Sequence, residues 1–476
     1  MNNSTIRHHR LLIVVASLIL GACSVGPDYV KPTVEAPVAY KEGEGWKQAQ
    51  PADTLIKTKW WELFGDPDLN RLEEQVAISN QNVALSAARY RQAHALVEGA
   101  KAAYYPSLTV GASATRALGS ANAGRGQGTQ GAIQSDFLLP VNLSWEIDVW
   151  GRIGRSVEAN KAGLQASAAD LAAVQLSAQA ELASDYMQLR SLDAQKRFLD
   201  DTIAYYRKSV ELTQNRYAAG IAAKVDVLQA DTQLKSTQAQ MIDLGALRAQ
   251  LEHAIAVLIG KPAGVFSLPP LPLSAEPPAI PAALPSELLE RRPDIASAER
   301  TMASANAQIG VARAAYYPTV KFGTSVGLEA SEISKWLTWP SRFWSVGPAV
   351  SQTLFDGGLR HAQNDQALAA YDGTVASYRQ TVLDAFRDVE DNLAALRILA
   401  EEARVQDEAV QAARQTVLIT QNQYEAGVVG YLNVVTAQTA ELANRRTAIG
   451  LLGRRMTASV LLVKALGGGW DQAGMK

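Results

Sequence analysis

The pentapeptide AAYYP occurs twice, in AAYYPSLTVGAS at residues 102–113 and in AAYYPTVKFGTS at residues 314–325. A second echo joins QNRYAAGIAAKVDVLQADTQ (214–233) to QNQYEAGVVGYLNVVTAQTA (421–440). Matching segments are about 210 residues apart, so the sequence predicts a tandem duplication. This period is far longer than the repeats of about 50 residues found in solenoids, so each copy is a whole supersecondary unit.

Each copy has the pattern helix, strand, loop, strand, long helix, turn, helix. The first repeat, 66–262, is predicted to have strands at about 106–116 and 137–149, a long helix at 151–217 and a return helix at 224–260. The second repeat, 286–465, has the corresponding strands at about 318–328 and 343–355, a long helix at 358–425 and a return helix at 431–465. The remaining segments are an extended N-terminal segment, a proline-rich linker and a C-terminal tail, at 23–65, 263–285 and 466–476.

The predicted strands alternate between apolar and small or polar residues. In 141–149 the apolar positions alternate with Asn142, Ser144, Glu146 and Asp148. Alternation over about ten residues is typical of transmembrane β-barrel strands. A soluble antiparallel sheet with one wet face gives the same pattern, so the strands alone leave both readings open.

The long helices are the second informative feature. In each, apolar residues recur every three or four positions over about 65 residues without proline, which predicts a rod of roughly 100 Å. Uninterrupted patterns of this length favour coiled-coil packing, and a solvated spectrin-like rod is the alternative. Many alanines on these helices would let neighbouring backbones approach closely.

Four strands cannot close a membrane barrel by themselves. An open sheet edge in lipid would leave N–H and C=O groups without partners. Because known barrels begin at about 8 strands, at least two chains must pool their strands, and three chains would supply about 12. AAYYP then marks the exit of a helix toward the barrel, since tyrosine suits a membrane–water boundary and proline ends a helix.

The N-terminus resembles a bacterial lipoprotein signal. A basic segment and the apolar run LLIVVASLIL are followed by LGAC, which ends on Cys23, the only cysteine. We expect a signal peptide at 1–22, an acyl lipid on Cys23 and, because Ser24 follows, sorting to the outer membrane. An ordinary signal with a chance cysteine is the alternative. The single cysteine excludes an intramolecular disulfide.

Composition excludes several classes of function. The net charge of −2 gives no electrostatic attraction to nucleic acid, and the five histidines form no spaced metal-ligand cluster. No nucleophile elbow, zinc-protease helix or phosphate-binding loop is present in the sequence, so we expect no enzyme activity. We also expect no cofactor or metal apart from the acyl lipid.

Six motifs in a fixed order resemble the outer membrane factors of tripartite efflux pumps, the TolC-like family, in its lipoprotein branch. They are CSVGPDY (23–29), WWELFGDPDLNRL (60–72), DVWGRIGR (148–155), LLERRPDIASAE (288–299), LFDGG (354–358) and KALGGGW (464–470). The resemblance implies a mainly α fold with a transmembrane β-barrel, namely a homotrimer with a 12-stranded outer-membrane barrel and a long periplasmic α-helical barrel. It also implies two partners, a periplasmic membrane-fusion adaptor and an inner-membrane pump of the resistance-nodulation-division class.

The resemblance places adaptor docking at two helix–turn–helix tips. Gly220 and Gly427 fit the turns, and the apolar residues that follow them, Ile221 and Val428, suit a docking surface. The alternative is that both turns are ordinary helix C-caps with local packing.

The resemblance also places a pore constriction just inside the tips. Leu432 fits a hydrophobic ring, but Thr436 and Thr439 stand where the family often has an acid and an arginine. Any acidic ring would then come from Asp226 and Asp231 of the first copy, and it would favour cations at the mouth. Asp226 could instead cap the return helix.

The sequence therefore predicts a passive outer-membrane duct for small toxic compounds, of the multidrug type, lipid-anchored and extending into the periplasm. Ducts for metal-ion efflux or type I secretion, and a structural coiled-coil lipoprotein, are the alternatives. An enzyme on a helical scaffold is a third class that no motif supports.

Overall fold

A computed structural model describes most of the chain, namely residues 25–33, 37, 39–42, 59–120, 133–273, 275–280 and 291–470. Cys23 and the predicted signal peptide lie outside the described residues. The first repeat contains α1 (Pro67–Ser79), α2 (Gln81–Ala102), β1 (Ser107–Val110), β2 (Ser113–Leu118), β3 (Ile133–Ile147), α3 (Arg152–Ala218) and α4 (Lys224–Leu258). The second contains α5 (Pro293–Ala314), β4 (Thr319–Ala330), α6 (Ile333–Trp336), β5 (Arg342–Ser351), α7 (Leu359–Glu425) and α8 (Tyr431–Ala465).

The structure differs from the predicted elements near the N-terminus. The segment predicted to be extended up to residue 65 contains a 3₁₀ helix at Trp60–Phe64. The single helix predicted at the start of the first repeat is two helices, because Asn80 interrupts it. The Asn80 side chain accepts hydrogen bonds from the backbone N–H groups of Asn82 and Val83 at 2.9 and 3.1 Å and so caps α2.

The strand predicted at 106–116 is two segments, β1 and β2. Both pair antiparallel with β3 in one continuous register, and the interruption at Gly111 lies opposite Pro140. Pro140 has no N–H to donate, so only its carbonyl serves the ladder, accepting from Gly111 at 3.0 Å. Pro348 lies in β5, an edge strand whose register with β4 is unbroken.

The other strand and helix ends also differ from prediction. β3 begins at Ile133 rather than 137 and ends at Ile147, and β4 continues to Ala330, inside a predicted loop. β5 stops at Ser351, four residues before the predicted end, and α4 stops at Leu258. A short helix, α6, lies in the loop that separates β4 from β5.

Two compact units divide the chain, and neither coincides with a repeat. The sheet unit contains the described residues up to Pro32 together with Arg91–Ala166 and Ala298–Tyr378. The helix unit contains the described part of Thr33–Tyr90 together with Ser167–Ser297 and the described residues from Arg379 onward. Each unit therefore takes segments from both repeats.

The sheet unit is built around an antiparallel sheet in which β1 and β2 share one side of β3, followed by β4 and β5. Its register sorts residues by polarity. Trp145 faces Phe322 across the β3–β4 pair, and Val141 faces Val326, whereas Glu146 faces Lys321. The alternation predicted from the sequence therefore gives one apolar and one polar face.

The helix unit has a continuous apolar core that receives side chains from α1, α3, α4, α7 and α8. Its largest fully buried members include Trp60, Tyr186, Leu189 and Ile255. The proline-rich linker is bound to this unit by buried charges. Asp193 accepts a hydrogen bond from the N–H of Leu271 at 3.0 Å, and Arg248 pairs with Asp193 at 2.7 Å. The part of the linker around Leu268 and Leu271 is therefore a fixed part of the fold.

Glu73 on α1 is fully buried beside this core, and neither carboxylate oxygen has a hydrogen-bond partner among the described residues. Burial raises the pKa of Glu73 well above its ordinary value, since a charged carboxylate is poorly solvated there. The folded protein therefore holds this proton more tightly than the unfolded chain. Stability from this group is full below the unfolded pKa and falls as pH rises toward the folded pKa.

We expect Glu73→Gln to remove this loss of stability at high pH. The variant should unfold at a higher temperature than the wild type at about pH 8, and the difference should shrink toward about pH 5. Thermal unfolding of detergent-purified protein across this range measures the effect. Glu74→Gln, at an exposed carboxylate that pairs with Lys59, is the matched control and should leave the pH dependence unchanged. Equal pH profiles for wild type and Glu73→Gln would contradict the expectation.

Candidate functional site: the helical turns and the apolar sheet face

The two long helical hairpins turn at the glycines singled out in the sequence. Gly220 ends α3 with φ +73°, and Gly427 ends α7 with φ +76°. In both turns the N–H of the third residue beyond the helical end reaches back to a helix carbonyl. Ile221 donates to Arg216 and Val428 donates to Gln423, each at 2.8 Å. These are Schellman turns, in which a left-handed glycine lets the chain reverse at little cost.

The residues that follow the turn glycines are apolar and exposed. Ile221 is 66% exposed and Val428 is 71% exposed, and Val225, Leu228 and Leu432 near the two turns are also exposed. Isolated exposed apolar residues are normal, but a group at the end of two hairpins is typical of an interaction surface. The turns have C-cap geometry and also present exposed apolar residues. The two interpretations, ordinary helix C-caps and a docking surface, are therefore compatible.

The two turns are joined to each other. Arg216 of α3 donates to the carbonyl of Glu425 at 3.1 Å, and its guanidinium lies 4.8 Å from the ring centre of Tyr424. Tyr424 meets Tyr431 edge to face at 5.1 Å. Sequence reasoning missed this cluster, although a tyrosine precedes both turn glycines by three residues.

The predicted gate residues occupy the first turns of the return helices. Leu432 and Thr436 are exposed on α8, and the Thr436 hydroxyl donates to the carbonyl of Leu432 at 2.9 Å. Asp226 is half-buried in the first turn of α4, and Asp231 is exposed one turn further on. Neither aspartate has an ion-pair partner within the described part of the chain.

Asp226 does not cap α4, which corrects one of its two predicted roles. The N-cap residue is Ala223, and no side chain caps the helix there. The carboxylate stands instead within the first turn of α4. It also lies close to Tyr424. Burial and, secondly, the charge of Asp226 raise the pKa of that tyrosine.

The return helices α4 and α8 contact each other through side chains that repeat at a seven-residue interval. The Thr439 hydroxyl lies 3.4 Å from the Gln233 amide oxygen, and Arg446 donates to Gln240 at 2.7 Å. Thr439, at a position where a charge was expected from the resemblance, therefore makes a neutral link between the two repeats. This link has no ionisable partner.

The apolar face of the sheet is the second candidate site. Leu108, Val110, Val326, Trp344, Val346 and Val350 are all more than half exposed on it. Within the described residues, the outer sides of β1, β2 and β5 have no strand partner. This surface is therefore both apolar and open at its edges.

Among the residues that the structure describes, no group of three or more His, Cys, Asp or Glu side chains is placed to hold a metal ion. None of the described helices combines the length and the apolar character needed to cross a membrane.

Comparison with known proteins gives a consistent result. The sequence profile of the outer membrane efflux protein family matches residues 72–261 and 284–468. The toluene efflux pump outer membrane protein TtgC of Pseudomonas putida is 30% identical over 470 residues, which cover 98% of this chain and 96% of that protein. The pyoverdine export outer membrane protein OpmQ of Pseudomonas aeruginosa is 30% identical over 465 residues, with 97% of each chain covered.

A solved structure shows the same fold. The outer-membrane channel OprN superimposes with a TM-score of 0.87 at 31% identity, covering 94% of this chain and 100% of that chain. The profile match to both repeats, together with relatives aligned over nearly the whole length, shows that this chain belongs to the outer membrane efflux protein family.

Proposed function

We propose that this chain forms the outer-membrane exit duct of a tripartite efflux pump, working as a homotrimer that carries small toxic compounds out of the cell. Its relatives include outer-membrane proteins of efflux and export pumps. The observation that carries the proposal is a sheet with an exposed apolar face and two unpaired edges. A duct of this kind needs no catalytic residue, because the pump supplies the energy.

The sheet supplies four strand positions, since β1 and β2 share one. Three copies pairing edge to edge would give 12 strands, within the range of known barrels, with the apolar face toward lipid. The unpaired edge groups would then all be satisfied, as a hydrocarbon environment requires.

The two repeats have helices of equal length. α3 and α7 each have 67 residues, and α4 and α8 each have 35. Each position in α3 and α4 therefore has a counterpart 207 positions later in the sequence. Where a residue is buried in one repeat and its counterpart is exposed in the other, the exposed residue marks a surface that a single chain leaves uncovered.

One face of α3 is covered by α8 within the chain. Ser191 and Phe198 are buried there, and the Ser191 hydroxyl lies 3.5 Å from the carbonyl oxygen of Ile449. Their counterparts on α7, Ile398 and Val405, are 52% and 51% exposed. The row of positions that is packed on α3 is therefore open, and apolar at both positions, on α7.

The complementary surface on α4 is open as well. Ile449 of α8 packs against the cluster that contains Phe198, whereas its counterpart on α4, Ile242, is 71% exposed. Because α8 covers α3 within a chain, we infer that α4 of a second copy covers α7. This contact uses different surfaces on the two copies, so it can close into a ring.

The exposed apolar residues at the turns support docking of a periplasmic adaptor, bound in turn to an inner-membrane pump of the resistance-nodulation-division class. Gly220 and Gly427 hold the turns, and Ile221 and Val428 offer the contact surface. Behind them, Leu432 and Thr436 with Asp226 and Asp231 are proposed to line the narrow end of the duct. Carboxylates there would favour cations.

We place the protein in the outer membrane with its helices in the periplasm, and we propose an acyl lipid on Cys23. Relatives of equal similarity are named for toluene and for pyoverdine, which supports a duct that does not itself select cargo. Metal-ion efflux and type I secretion remain alternatives for the pump served. A structural coiled-coil lipoprotein leaves the apolar sheet face unexplained.

The native mass tests the assembly. Protein extracted from outer membranes in detergent should have a mass, after subtraction of the micelle, close to three times the 51.1 kDa chain. Mass photometry or light scattering gives this value. A stable monomer, or protein found only in the soluble periplasmic fraction, would favour the structural lipoprotein.

Cross-linking tests the inferred contact between copies. With Ile242→Cys and Ile398→Cys in one chain, a short bismaleimide should produce a covalent trimer on a denaturing gel. Each single variant is a control for reaction with Cys23. Ile78→Cys combined with Ile398→Cys is the matched control, because Ile78 is at least as exposed as Ile242 but lies on α1. Reaction that stops at a covalent dimer would indicate a two-fold contact and contradict the ring.

Photocrosslinking tests the docking surface. A photoreactive residue at position 428 or 221 should form an adduct in cells, identified by mass spectrometry as the adaptor of a tripartite pump. The same residue at position 78 should form none. Val428→Asp should weaken the adaptor contact by about tenfold, as expected for loss of a central apolar contact. An adduct of equal yield at position 78 would remove the support for docking at the turns.

A further inference from the structure

The apolar face of the sheet carries two charged residues, and both are arginines. The register places Arg116 of β2 opposite Ser135 of β3, and Arg342 of β5 opposite Leu328 of β4. Both positions lie on the same side of the sheet as Val141, because side chains alternate between the two faces of a strand. Every other residue of the described strands on this face is uncharged.

The carboxylates near the same end of the sheet lie on its other face. Asp136 of β3 and Glu329 of β4 occupy the polar side. The sheet connects to α2, α3, α5 and α7 at one end, and these two carboxylates and both arginines lie within four residues of the strand ends farthest from those connections. Positive and negative charges are therefore separated across the sheet at this end.

The Arg342 guanidinium stacks on an indole. Its Cζ lies 4.3 Å from the ring centre of Trp339, which is exposed. Within the described chain, neither Arg342 nor Arg116 has an ion-pair partner or donates a side-chain hydrogen bond. A stacked guanidinium keeps its N–H groups in its own plane, where they can bind an oxyanion.

The position of the arginines fits a membrane interface. An arginine on a lipid-facing surface is costly at the middle of the bilayer and nearly neutral at its edge. Trp339 and Trp344 flank Arg342 in the sequence, and both are exposed. Tryptophan is enriched at this depth, because its ring is apolar and its N–H is polar. With the helices in the periplasm, this end of the sheet would lie in the outer leaflet.

The duplication indicates how the sheets of two copies would align. Ser107 of β1 faces Ser144 of β3, and Thr319 of β4 faces Ser351 of β5. Thr319 lies 212 positions after Ser107, and Ser351 lies 207 positions after Ser144. The two repeats therefore pair their strands in the same register when these two shifts are applied.

The same shifts can be applied to the β3–β4 pair, in which Phe137 faces Ala330. They align β5 of one copy with β2 of the next and place Trp344 opposite Leu118. Both are exposed apolar residues of the same face in the single chain. Arg116, two residues from Leu118, would then lie diagonal to Trp344, within reach of its ring.

This register brings the two arginines of different copies to one place. Arg342 of one copy and Arg116 of the next would lie on adjacent strands, offset by four residues. Their Cα atoms would be about 14 Å apart, since each residue rises by about 3.3 Å and strands are spaced by about 4.8 Å. Each arginine would have a tryptophan beside it and no carboxylate on its face.

We propose that Arg116 and Arg342 bind phosphate groups of lipids in the outer leaflet, at sites that are each shared between two copies of the chain. This inference rests on the proposed assembly, in which the apolar face contacts lipid. At each site, Arg342, Trp339 and Trp344 come from one copy and Arg116 comes from the next. A guanidinium forms paired hydrogen bonds with phosphate oxygens, and basic pockets beside a membrane bind lipid head groups in this way.

The competing role is structural. Arg342 would then hold the segment between β4 and β5 through its stack on Trp339, and no lipid phosphate would be needed. The two roles differ in one measurable respect, because only the lipid site depends on phosphate.

Native mass spectrometry of the full-length protein in detergent tests the site. The probes are bisphosphorylated lipid A and the same lipid after enzymatic removal of both phosphates. Wild-type protein should bind the phosphorylated form at least tenfold more tightly, as expected for charge-assisted hydrogen bonds. Arg116→Gln and Arg342→Gln should each weaken binding of this form by about tenfold and leave binding of the phosphate-free form unchanged.

Two further variants serve as controls. Arg404→Gln, at an exposed arginine of α7 that pairs with Glu408, is the matched control and should change neither affinity. Arg342→Lys keeps the charge and should weaken binding of the phosphorylated form less than Arg342→Gln does.

Equal affinity of the wild type for the two lipids, or equal weakening of both by Arg342→Gln, would overturn the phosphate site. The same spectra report the mass of the assembly. A wild-type trimer without a preference for phosphate would overturn this inference alone, whereas a monomer would overturn the assembly on which it rests.

Discussion

The hydrogen-bonding capacity at the two edges of the sheet is the constraint that organises this protein. β1 and β2 on one side, and β5 on the other, present backbone N–H and C=O groups without strand partners in the described chain. The face between them is apolar and exposed. Water can solvate the edges but not the face, and lipid can solvate the face but not the edges. In the proposed assembly, further copies of the sheet would satisfy both requirements.

The helices, like the sheet, present surfaces for which a single chain supplies no partner. The first repeat packs against the second within the chain, and each repeat has one further surface that nothing in the chain covers. Phe198 is buried on α3, for example, whereas its counterpart Val405 on α7 is exposed. The chain therefore satisfies only part of its own packing, and the proposed ring of copies would supply the remainder. At the turns, by contrast, the two repeats are already joined by Arg216 and Tyr424.

Periodicity predicted the helices well because every turn of a long helix must place apolar side chains on the same buried face. The apolar stripe continues along all 67 residues of α3, so the predicted end at 217 lies one residue from the observed end at Ala218. The strand ends were less accurate, because alternation does not show where pairing stops. Pro140 and Asn80 interrupt elements through a missing donor and a competing side chain. Both effects depend on a partner that the local sequence does not identify.

In the candidate sites, too, the features set by local sequence could be predicted, and those that join distant residues could not. A glycine after a long helical pattern located both turns, since only a left-handed residue ends a helix in this way. The linker contact between Leu271 and Asp193 joins residues far apart in sequence. No spacing rule connects them, and the role of Asp193 follows only from the folded chain. The cap expected as the alternative role of Asp226 is wrong, because the first helical residue lies two positions earlier.

The equal lengths of the paired helices restrict how this protein can evolve. Deleting one residue from α7 would rotate all later positions by about 100° and shorten the helix by about 1.5 Å. Val405 would leave its row, and the hydrogen bond from Arg216 to Glu425 would lose its register. A change of seven residues made in both α3 and α7 would preserve both the row and this hydrogen bond. Natural length variation should therefore collect in the segments between strands, and the long helices should vary in composition while keeping a constant residue count.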